Sequence, residues 1–308
     1  MADELFAVLF PGQGAQFVGM ADAWCEEYPP ALAIFERASA VLGYDLLEIC
    51  RQGPAERLST TAVSQPAILV TSLAMLELLR SQPDSPLGGG ASQPATAGLS
   101  LGEYTALVHA GGLDLESAVR VVDVRGRAMQ ACADANPGGM VAVLGLDRDQ
   151  VAAVCDEARS DGVLEVANVL CPGNIVVSGS REACERVPAA ASAAGAMKCV
   201  PLDVAGAFHT SLMEPAREQL AAVLAEVDLR PPQIPVVSNV DARPHTDPEE
   251  IRGLLARQVC GVVEWQASME YLLSTGVGPL WEVGPGRVLR GLLKRIDRKR
   301  PCHGVFDG

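Results

Sequence analysis

Histidine is scarce in this sequence, and no two cysteines have the spacing of a metal or redox motif. Only four histidines occur in 308 residues, at positions 109, 209, 245 and 303. The nine cysteines include no CxxC pair, and their odd number argues against a disulfide framework or a zinc site. We therefore expect reduced thiols in a cytoplasmic protein, with few candidates for chemistry based on histidine.

Basic residues are also in the minority, and the formal net charge is −14. Such a charge repels phosphate backbones, so we expect no nucleic acid partner. The sequence contains no unbroken apolar run of about 20 residues, so we expect no membrane-spanning helix and no membrane partner. The start, MADELFAVLF, has no basic segment before its first apolar run, so we also expect no secretory signal.

The chain is 49% hydrophobic and long enough to bury one large core or two modest ones. Residues 5–10 predict a strand, a helix is expected to begin near Gln16, and helical periodicity continues to about residue 80. The Pro/Gly/Ser-rich residues 82–95 predict a loop. Strand and helix patterns alternate before residue 132 and after residue 204, which is typical of an α/β layer fold.

The middle of the chain has a different pattern. It predicts strands at 139–146, 163–170, 174–179 and 197–204, with helices at 148–160 and 181–195. The resulting order, β-α-β-β-α-β, is that of a ferredoxin-like unit. We predict a large α/β domain, formed by residues 1–132 and 204–308, into which a small ferredoxin-like domain of residues 133–203 is inserted.

The segment Gly-Leu-Ser-Leu-Gly, residues 98–102, fits the G-x-S-x-G pattern of a nucleophile elbow. It lies between a predicted strand and a predicted helix, which is the context that the pattern requires. The glycines let strand and helix pack closely around a strained serine, and the N–H groups that open the helix lie beside its hydroxyl. Ser100 is predicted to be a nucleophile; the alternative is a hydroxyl that only caps the helix.

A serine nucleophile needs a base, and His209 is the candidate. It lies in VAGAFHTSLMEP, between a predicted strand and a helix that we expect to open with a capping box of Ser211 and Glu214. Loops of this kind carry catalytic groups in α/β folds, and a helix N-terminus keeps an imidazole neutral. His109 is predicted to be structural and His245 to lie in an exposed turn. A structural role for His209 is the alternative.

Arg125 lies on the apolar stripe of a helix predicted from about 114 to 132, with Asp114 as its N-cap. A buried guanidinium needs an anion, which is either an internal carboxylate or the carboxylate of a substrate.

The loop PGQGAQ, residues 11–16, lacks the Gly-Lys-Ser/Thr ending of a phosphate loop. It is better interpreted as a sharp turn that brings a backbone N–H beside Ser100.

Residues 287–300, RVLRGLLKRIDRKR, hold seven of the 24 basic residues and a single acid. The apolar residues at 288, 289, 292, 293 and 296 predict one buried helix face with the charges turned outward. One interpretation is an ordinary solvated face. The other is a docking surface for an acidic partner, formed by Arg290, Lys294, Arg298 and Lys299.

A series of motifs adds a resemblance that covers nearly the whole chain. The motifs are FPGQGAQ, SQPAIL, GLSLGEYTAL, RGRAMQ, GAFHTSLM, SNVDARP, RQVCGVVEW and EVGPGRVLRGLLKRI, in this order. The sequence resembles the malonyl-CoA:acyl carrier protein transacylases, the discrete acyltransferases of fatty acid and polyketide synthesis. The resemblance implies an α/β-hydrolase-like domain with a ferredoxin-like insert. It further implies a monomer without a cofactor, with malonyl-CoA as substrate and acyl carrier protein as partner.

The resemblance also implies a reaction and a set of site residues. Malonyl would pass from malonyl-CoA to the phosphopantetheine thiol of the carrier protein by a ping-pong mechanism, through a malonyl ester of Ser100 formed with His209 as base. The other implied roles are the malonyl carboxylate clamp (Arg125), the oxyanion hole (backbone N–H groups of Gln13 and Leu101), the carbonyl that orients the base (Gln258), the ring that leaves little room for an α-methyl group (Phe208) and an active-site amide from the small domain (Asn168).

The sequence departs from the family pattern at three positions. Leu99 stands where the family most often has a histidine, Leu170 replaces a second asparagine, and Val262 replaces a proline. Two other functions also fit the sequence. One is a serine thioesterase or hydrolase that acts on an acyl-CoA, with Asp203 as a possible third member of a triad. The other is a non-catalytic module that binds a carrier protein.

Overall fold

The computed structural model describes residues 5–83, 85–87 and 92–305, and its strands form two separate sheets in a mixed α/β fold. The strands are β1 (Ala7–Phe10), β2 (Thr96–Gly98), β3 (Gly138–Leu144), β4 (Leu164–Cys171), β5 (Asn174–Ser180), β6 (Lys198–Pro201), β7 (Val236–Val237), β8 (Pro244–His245), β9 (Leu280–Glu282) and β10 (Cys302–Gly304). The helices are α1 (Ala23–Glu27), α2 (Pro29–Leu42), α3 (Leu46–Gln52), α4 (Ala55–Ser59), α5 (Thr61–Ser81), α6 (Gly102–His109), α7 (Leu115–Ala135), α8 (Arg148–Arg159), α9 (Arg181–Ala193), α10 (Glu214–Glu226), α11 (Pro248–Gln258), α12 (Trp265–Ser274) and α13 (Val288–Ile296).

The first sheet is parallel except at one edge. Its order is β10-β9-β1-β2-β7-β8, and only β8 runs antiparallel to its neighbour. Phe10 is paired with Gly98, so β1 and β2 end side by side. Because the carboxyl ends of parallel strands meet at one edge of a sheet, the loops after β1 and β2 lie next to each other. This edge holds the loop 11–16 and the segment around Ser100.

The second sheet is antiparallel throughout, in the order β4-β5-β3-β6. Successive side chains of β3 point to opposite faces, as strand geometry requires. Val141 and Val143 pack in a small core with α8 and α9, whereas Met140 and Ala142 belong to the larger core of the molecule. The second sheet therefore has one face covered by its own helices, α8 and α9, and the other face turned toward the larger core.

Helix α5 is the one described helix that is long and apolar enough to raise the question of a membrane span. Its 21 residues are long and apolar enough to cross a membrane by composition alone, because scattered polar residues such as Ser64 and Gln65 only interrupt the apolar run. In the fold, 78% of its most apolar window is buried. It behaves as a core helix, packed between α2 and α7.

Several boundaries differ from those predicted. No helix begins near Gln16: residues 11–22 form turns, with Gly14 and Gly19 at positive φ, and the first helix begins at Ala23. Helix α7 continues to Ala135, three residues beyond the predicted end, because its last turn still packs in the core and Pro137 follows. The predicted loop at 82–95 includes residues 84 and 88–91, which lie outside the described residues.

Candidate active site

Ser100 lies at a sharp turn between β2 and α6, and its backbone φ is 48°. This left-handed conformation is uncommon for a residue with a side chain. The flanking glycines allow it: a Cβ on Gly98 would lie 1.9 Å from the carbonyl carbon of Gly102, and one on Gly102 would lie 2.2 Å from the carbonyl oxygen of Phe10. Strand, turn and helix therefore pack at distances that only glycine permits.

Two side-chain amides hold the backbone of Ser100. Its N–H donates to Asn239 Oδ1 over 2.5 Å, and its carbonyl oxygen accepts from Gln258 Nε2 over 3.0 Å. Asn239 Nδ2 also donates to the carbonyl oxygen of Gly98 over 2.8 Å. The strained serine is thus fixed at both of its peptide groups.

His209 lies within hydrogen-bond distance of the serine hydroxyl. Its Nε2 is 2.9 Å from Ser100 Oγ, and its Nδ1 is 2.9 Å from the backbone carbonyl oxygen of Gln258. A carbonyl oxygen only accepts hydrogen bonds, so Nδ1 carries the proton and Nε2 is free to accept one. Burial and the nearby charge of Arg125 lower the pKa of His209 to about 4, which keeps the ring neutral at pH 7.

Arg125 is 1% exposed, and all its side-chain contacts of hydrogen-bond length are to neutral oxygens. Its guanidinium donates to Gln65 Oε1 over 2.7 Å, to Gln258 Oε1 over 3.0 Å and to Ser100 Oγ over 3.0 Å. Within the described residues, no carboxylate lies at ion-pair distance from it. Burial lowers the pKa of Arg125. The internal carboxylate that was one of the two sequence interpretations is absent from the described chain.

A buried carboxylate, Glu103, lies behind this network. Its Oε2 accepts from Gln258 Nε2 over 2.7 Å and from the backbone N–H of Asn239 over 3.0 Å. Burial raises the pKa of Glu103 to about 7, although these hydrogen bonds and the charge of Arg125 act in the opposite direction. Glu103 belongs to the network but does not contact the serine hydroxyl.

Gln13 and Leu101, whose backbone N–H groups are the predicted oxyanion hole, both line the cavity beside Ser100. Leu101 precedes the first residue of α6, and Gln13 lies in the loop after β1. That loop passes very close to the elbow, since a Cβ on Gly12 would lie 2.4 Å from the carbonyl oxygen of Leu99. In the part of the chain that the structure describes, neither N–H group makes a hydrogen bond.

A cavity of about 570 Å³ opens beside Ser100, between the two sheets. Helix α7 and the loop after β6 contribute charged and polar groups to its lining, namely Arg125 and His209. The second sheet contributes Asn168 from β4. Its apolar lining residues are Leu99, Leu101, Met129, Met140, Leu170, Val176, Leu202, Val204, Phe208, Val288 and Leu292. Phe208 is buried next to the histidine, so its ring limits the room near the nucleophile.

The segment 287–300 differs from its prediction at two residues. Arg290 is not an outward charge: its side chain is mostly buried and pairs with Glu282, with Nε 3.4 Å from Oε2. Val288 is exposed and lines the mouth of the cavity instead of a buried helix face. The backbone N–H groups of Leu289 and Arg290, in the first turn of α13, both donate to Glu282 at the end of β9, which holds Arg290 beside that carboxylate. Lys294, Arg298 and Lys299 are exposed, as expected.

Two further expectations near the histidines were wrong. Ser211 and Glu214 do not form a capping box, because Ser211 Oγ donates to Glu165 and Glu214 pairs with Arg217, while Thr210 caps the short turn Ser211–Met213. His245 is not exposed: it is buried in β8, where contacts with carboxylates on both sides of the ring raise its pKa.

Asp203, the possible acid of a hydrolase triad, lines the cavity but is exposed. The position that a triad acid would occupy, beside His209 Nδ1, is taken by the carbonyl oxygen of Gln258.

Sequence reasoning missed three members of the network, namely Gln65, Glu103 and Asn239. All three lie inside motifs that were noticed for other reasons. A signal existed for Gln65, which is a polar residue within the apolar run of α5 and is fully buried. The partners of Glu103 and Asn239 lie more than 130 residues away in the chain, so no local pattern pairs them.

Comparison with known proteins gives a consistent result. Residues 7–271 match the family described as acyl transferase domain. The malonyl CoA-acyl carrier protein transacylase of Escherichia coli K12 is 45% identical over 291 residues, which are 94% of this chain and 92% of that protein. Its counterpart in Bacillus subtilis 168 is 39% identical over 302 residues, covering 98% of this chain and 93% of the relative.

Solved structures agree with this. The malonyl CoA-acyl carrier protein transacylase of Coxiella burnetii superposes with a TM-score of 0.93 at 36% identity, covering 98% of this chain and 94% of that one. A malonyl-transacylase in complex with a type II PKS acyl-carrier protein superposes with a TM-score of 0.89 at 40% identity, covering 97% and 94%. This chain is an acyltransferase and belongs to the family of malonyl CoA-acyl carrier protein transacylases.

Proposed function

We propose that this chain transfers the malonyl group of malonyl-CoA to the phosphopantetheine thiol of an acyl carrier protein, and so supplies malonyl units for chain elongation in fatty acid or polyketide synthesis. One observation carries the proposal. Ser100 Oγ lies within hydrogen-bond distance of both a neutral histidine and a buried guanidinium. Nucleophile, base and carboxylate clamp therefore meet in a single cavity.

The first half-reaction acylates Ser100. His209 Nε2 accepts the hydroxyl proton while Oγ attacks the thioester carbon of malonyl-CoA. Negative charge develops on the thioester oxygen, where the backbone N–H groups of Gln13 and Leu101 would receive it. The tetrahedral intermediate then collapses, coenzyme A leaves with the proton from His209, and a malonyl ester remains on Ser100. The carbonyl of Gln258 keeps the ring oriented and stabilises the imidazolium.

Arg125 would select the acyl group. One methylene separates the thioester carbonyl of a malonyl group from its carboxylate, so a guanidinium 3.0 Å from Ser100 Oγ is close enough to bind that carboxylate. Two nitrogens presented in a plane suit a carboxylate. Phe208 would disfavour an α-methyl branch, and Asn168 would contact the substrate from the second sheet.

The second half-reaction transfers the malonyl group to the carrier protein. His209 accepts the proton of the phosphopantetheine thiol, the sulfur attacks the ester, and Ser100 recovers its proton as leaving group. Every proton transfer in this scheme is assigned to side chains or substrates, so the scheme uses no cofactor. The complex of a related transacylase with its carrier protein supports this choice of acceptor. We propose Lys294, Arg298 and Lys299 as its docking residues.

The same proposal extends to the architecture. We describe residues 1–132 with 204–308 as an α/β-hydrolase-like domain and residues 133–203 as a ferredoxin-like insert, which agrees with the strand order β4-β5-β3-β6. Helix α7 ends at Ala135, so its last three residues extend past the proposed boundary at 132. We propose a monomer, in which the described residues of a single chain supply the nucleophile, the base and the guanidinium. Six of its nine cysteines are buried free thiols, which suits the cytoplasm.

Intact mass spectrometry tests this function. Wild-type protein should gain one malonyl group from malonyl-CoA and lose it when holo carrier protein is added, with malonyl appearing on the carrier. Ser100→Ala should gain nothing. Free malonate without carrier protein would favour a thioesterase, and a chain that binds carrier protein but never gains mass would be a binding module. A stable malonyl adduct on Ser100→Ala would contradict the mechanism.

A further inference from the structure

Glu103 is a buried carboxylate to which the transfer scheme gives no role. It is 2% exposed and lies in the first turn of α6, three residues after Ser100. An ionised carboxylate is costly to bury unless several donors satisfy it. The groups that donate to Glu103 therefore identify what it holds in place.

One of its oxygens joins two distant segments of the chain. Oε2 accepts from Gln258 Nε2 over 2.7 Å and from the backbone N–H of Asn239 over 3.0 Å. These donors lie 155 and 136 residues away in sequence, at the end of α11 and after β7. The carboxylate thus fixes the position of the Asn239 backbone and the orientation of the Gln258 amide.

The same two residues hold Ser100. Asn239 Oδ1 accepts from the Ser100 N–H, and Gln258 Nε2 donates to the Ser100 carbonyl oxygen. A residue with a side chain keeps a φ of 48° only when its surroundings determine it. Here the surroundings are the side-chain amides of Asn239 and Gln258, and Glu103 Oε2 accepts from the backbone N–H of the first residue and from the amide of the second.

The orientation of the Gln258 amide matters to Arg125 as well. Its NH₂ group faces Glu103, so its oxygen faces the guanidinium and accepts a hydrogen bond of 3.0 Å. A rotated amide would present NH₂ to a cation. Arg125 keeps a second anchor, the 2.7 Å hydrogen bond to Gln65, that does not depend on Glu103.

We propose that Glu103 is the positioning residue of the nucleophile: its Oε2 fixes Gln258 and Asn239, and through them the strained backbone of Ser100. The inference rests on the proposed function, in which Ser100 is the nucleophile. It assigns Glu103 no contact with substrate and no proton transfer.

Two conservative variants distinguish the effect of side-chain length at position 103 from the effect of its charge. Glu103→Asp keeps the charge but withdraws the carboxylate by about 1.5 Å, so that Oε2 no longer meets both donors. Glu103→Gln removes the charge but keeps an oxygen at the same reach, with hydrogen bonds weaker than those of a carboxylate. A matched control is Glu282→Asp. Glu282 is also 2% exposed and accepts two backbone N–H groups, those of Leu289 and Arg290, over 2.9 Å.

The readouts are the second-order rate constant for labelling Ser100 with a fluorophosphonate and the single-turnover rate of malonylation, with thermal unfolding measured for each variant. A displacement of about 1 Å can cost about 100-fold in rate, so Glu103→Asp should slow both reactions by about 10- to 100-fold. Glu103→Gln should stay within about fivefold of wild type. The concentration of malonyl-CoA at half-saturation should change less than about threefold, because Gln65 still anchors Arg125.

Three results would overturn the inference. The first is labelling of Glu103→Asp at the wild-type rate. The second is slower labelling of Glu103→Gln than of Glu103→Asp, which would indicate that Glu103 acts as a counter-charge. The third is equal slowing in Glu282→Asp, which would indicate general destabilisation. Failure of wild-type protein to be labelled or malonylated at Ser100 would overturn the proposed function and this inference with it. If wild type is labelled and malonylated at Ser100 and Glu103→Asp reacts at the same rate, this inference alone is overturned.

Discussion

Arg125 carries a positive charge that is almost fully removed from water, and the hydrogen bonds that it makes within the described residues go to neutral oxygens, while Cζ lies 5.5 Å from the centre of the Tyr104 ring. Burying a charge without an opposite charge is unfavourable, so the site favours an anion that enters from the cavity. The amide oxygens of Gln65 and Gln258 fix the guanidinium in place without neutralising it. A malonyl carboxylate would complete the ion pair.

Arg125→Ala should therefore abolish the preference for malonyl over acetyl groups. Loss of one desolvated charge partner costs about 2–5 kcal/mol, so kcat/KM for malonyl-CoA should fall by at least about 30-fold. Transfer from acetyl-CoA, which has no carboxylate, should be retained or improved. Parallel loss with both donors in a steady-state assay would mean that Arg125 only supports the structure.

The pH dependence of acylation should reflect the buried state of His209. The ring acts as a base when neutral, and its pKa is lowered to about 4. The single-turnover rate of malonylation should therefore change by less than about fivefold as the pH falls from 8 to about 5, a range in which protonation of Glu103 resembles Glu103→Gln, and should then decline further as the ring becomes protonated. Circular dichroism at each pH provides the control for unfolding.

Arg125→Ala should move this decline to higher pH, since a nearby positive charge opposes protonation of the ring. A decline centred at the ordinary histidine value in wild-type protein, with the fold intact, would contradict a desolvated base.

At the level of single residues, the sequence predicts those site residues that stand out within a short stretch of the chain. Ser100 lies in a short glycine motif, and Arg125 interrupts an apolar stripe. Glu103 lies in the same motif as Ser100, yet its function depends on Gln258 and Asn239, whose hydrogen bonds form only after the chain folds. The pairing of Arg125 with Gln65 was equally unpredictable, because Gln65 lies 60 residues before it.

At the level of secondary structure, the site depends on how closely α6 approaches β1. A Cβ on Gly102 would lie 2.2 Å from the carbonyl oxygen of Phe10, which is backbone and cannot move aside alone. Gly102→Ala should therefore force the helix away from the sheet and destabilise the protein by about 1–3 kcal/mol or more. Fluorophosphonate labelling of Ser100 should slow as well.

Gly253→Ala is the matched control for this prediction. Gly253 lies inside α11, and a Cβ there would meet no atom within 4 Å. The same substitution should stabilise the protein by up to about 1 kcal/mol, because alanine favours the helix. Equal thermal unfolding temperatures for the two variants would show that the contact between α6 and β1 is not tight.

Elements with an amphipathic pattern were predictable, and the irregular loop was not. Helices α8 and α9 and strands β3, β4 and β5 appear within about two residues of their predicted bounds, since each buries one face and the period is readable. Strand β6 has no buried residue and ends at Pro201, three residues before its predicted end. The helix expected near Gln16 is absent because Gly14 and Gly19 take positive φ values. The N–H of Gly19 donates to the carbonyl oxygen of Cys50, a contact that no local window contains.

At the level of the whole molecule, charge opposes the proposed partnership. A chain with net charge −14 repels another acidic protein unless a local patch attracts it. Arg290 pairs with Glu282 and contributes little to such a patch, so the outward charge of this segment comes from its exposed basic residues, which are Arg287, Lys294, Arg295, Arg298 and Lys299. The segment also adjoins the cavity, because Val288 and Leu292 of α13 line it.

Reversing Lys294 and Arg298 to glutamate should therefore raise KM for the carrier protein by about 10-fold at low salt, and by much less at physiological salt, where charges are screened beyond about 8 Å. Malonylation of Ser100 by malonyl-CoA should change little, since that half-reaction does not need the carrier. Reversal of the exposed Arg120 and Arg243, which alters the net charge equally, serves as control and should leave KM near wild type. If both double reversals shift KM alike, the effect belongs to the net charge of the molecule and not to a docking surface on α13.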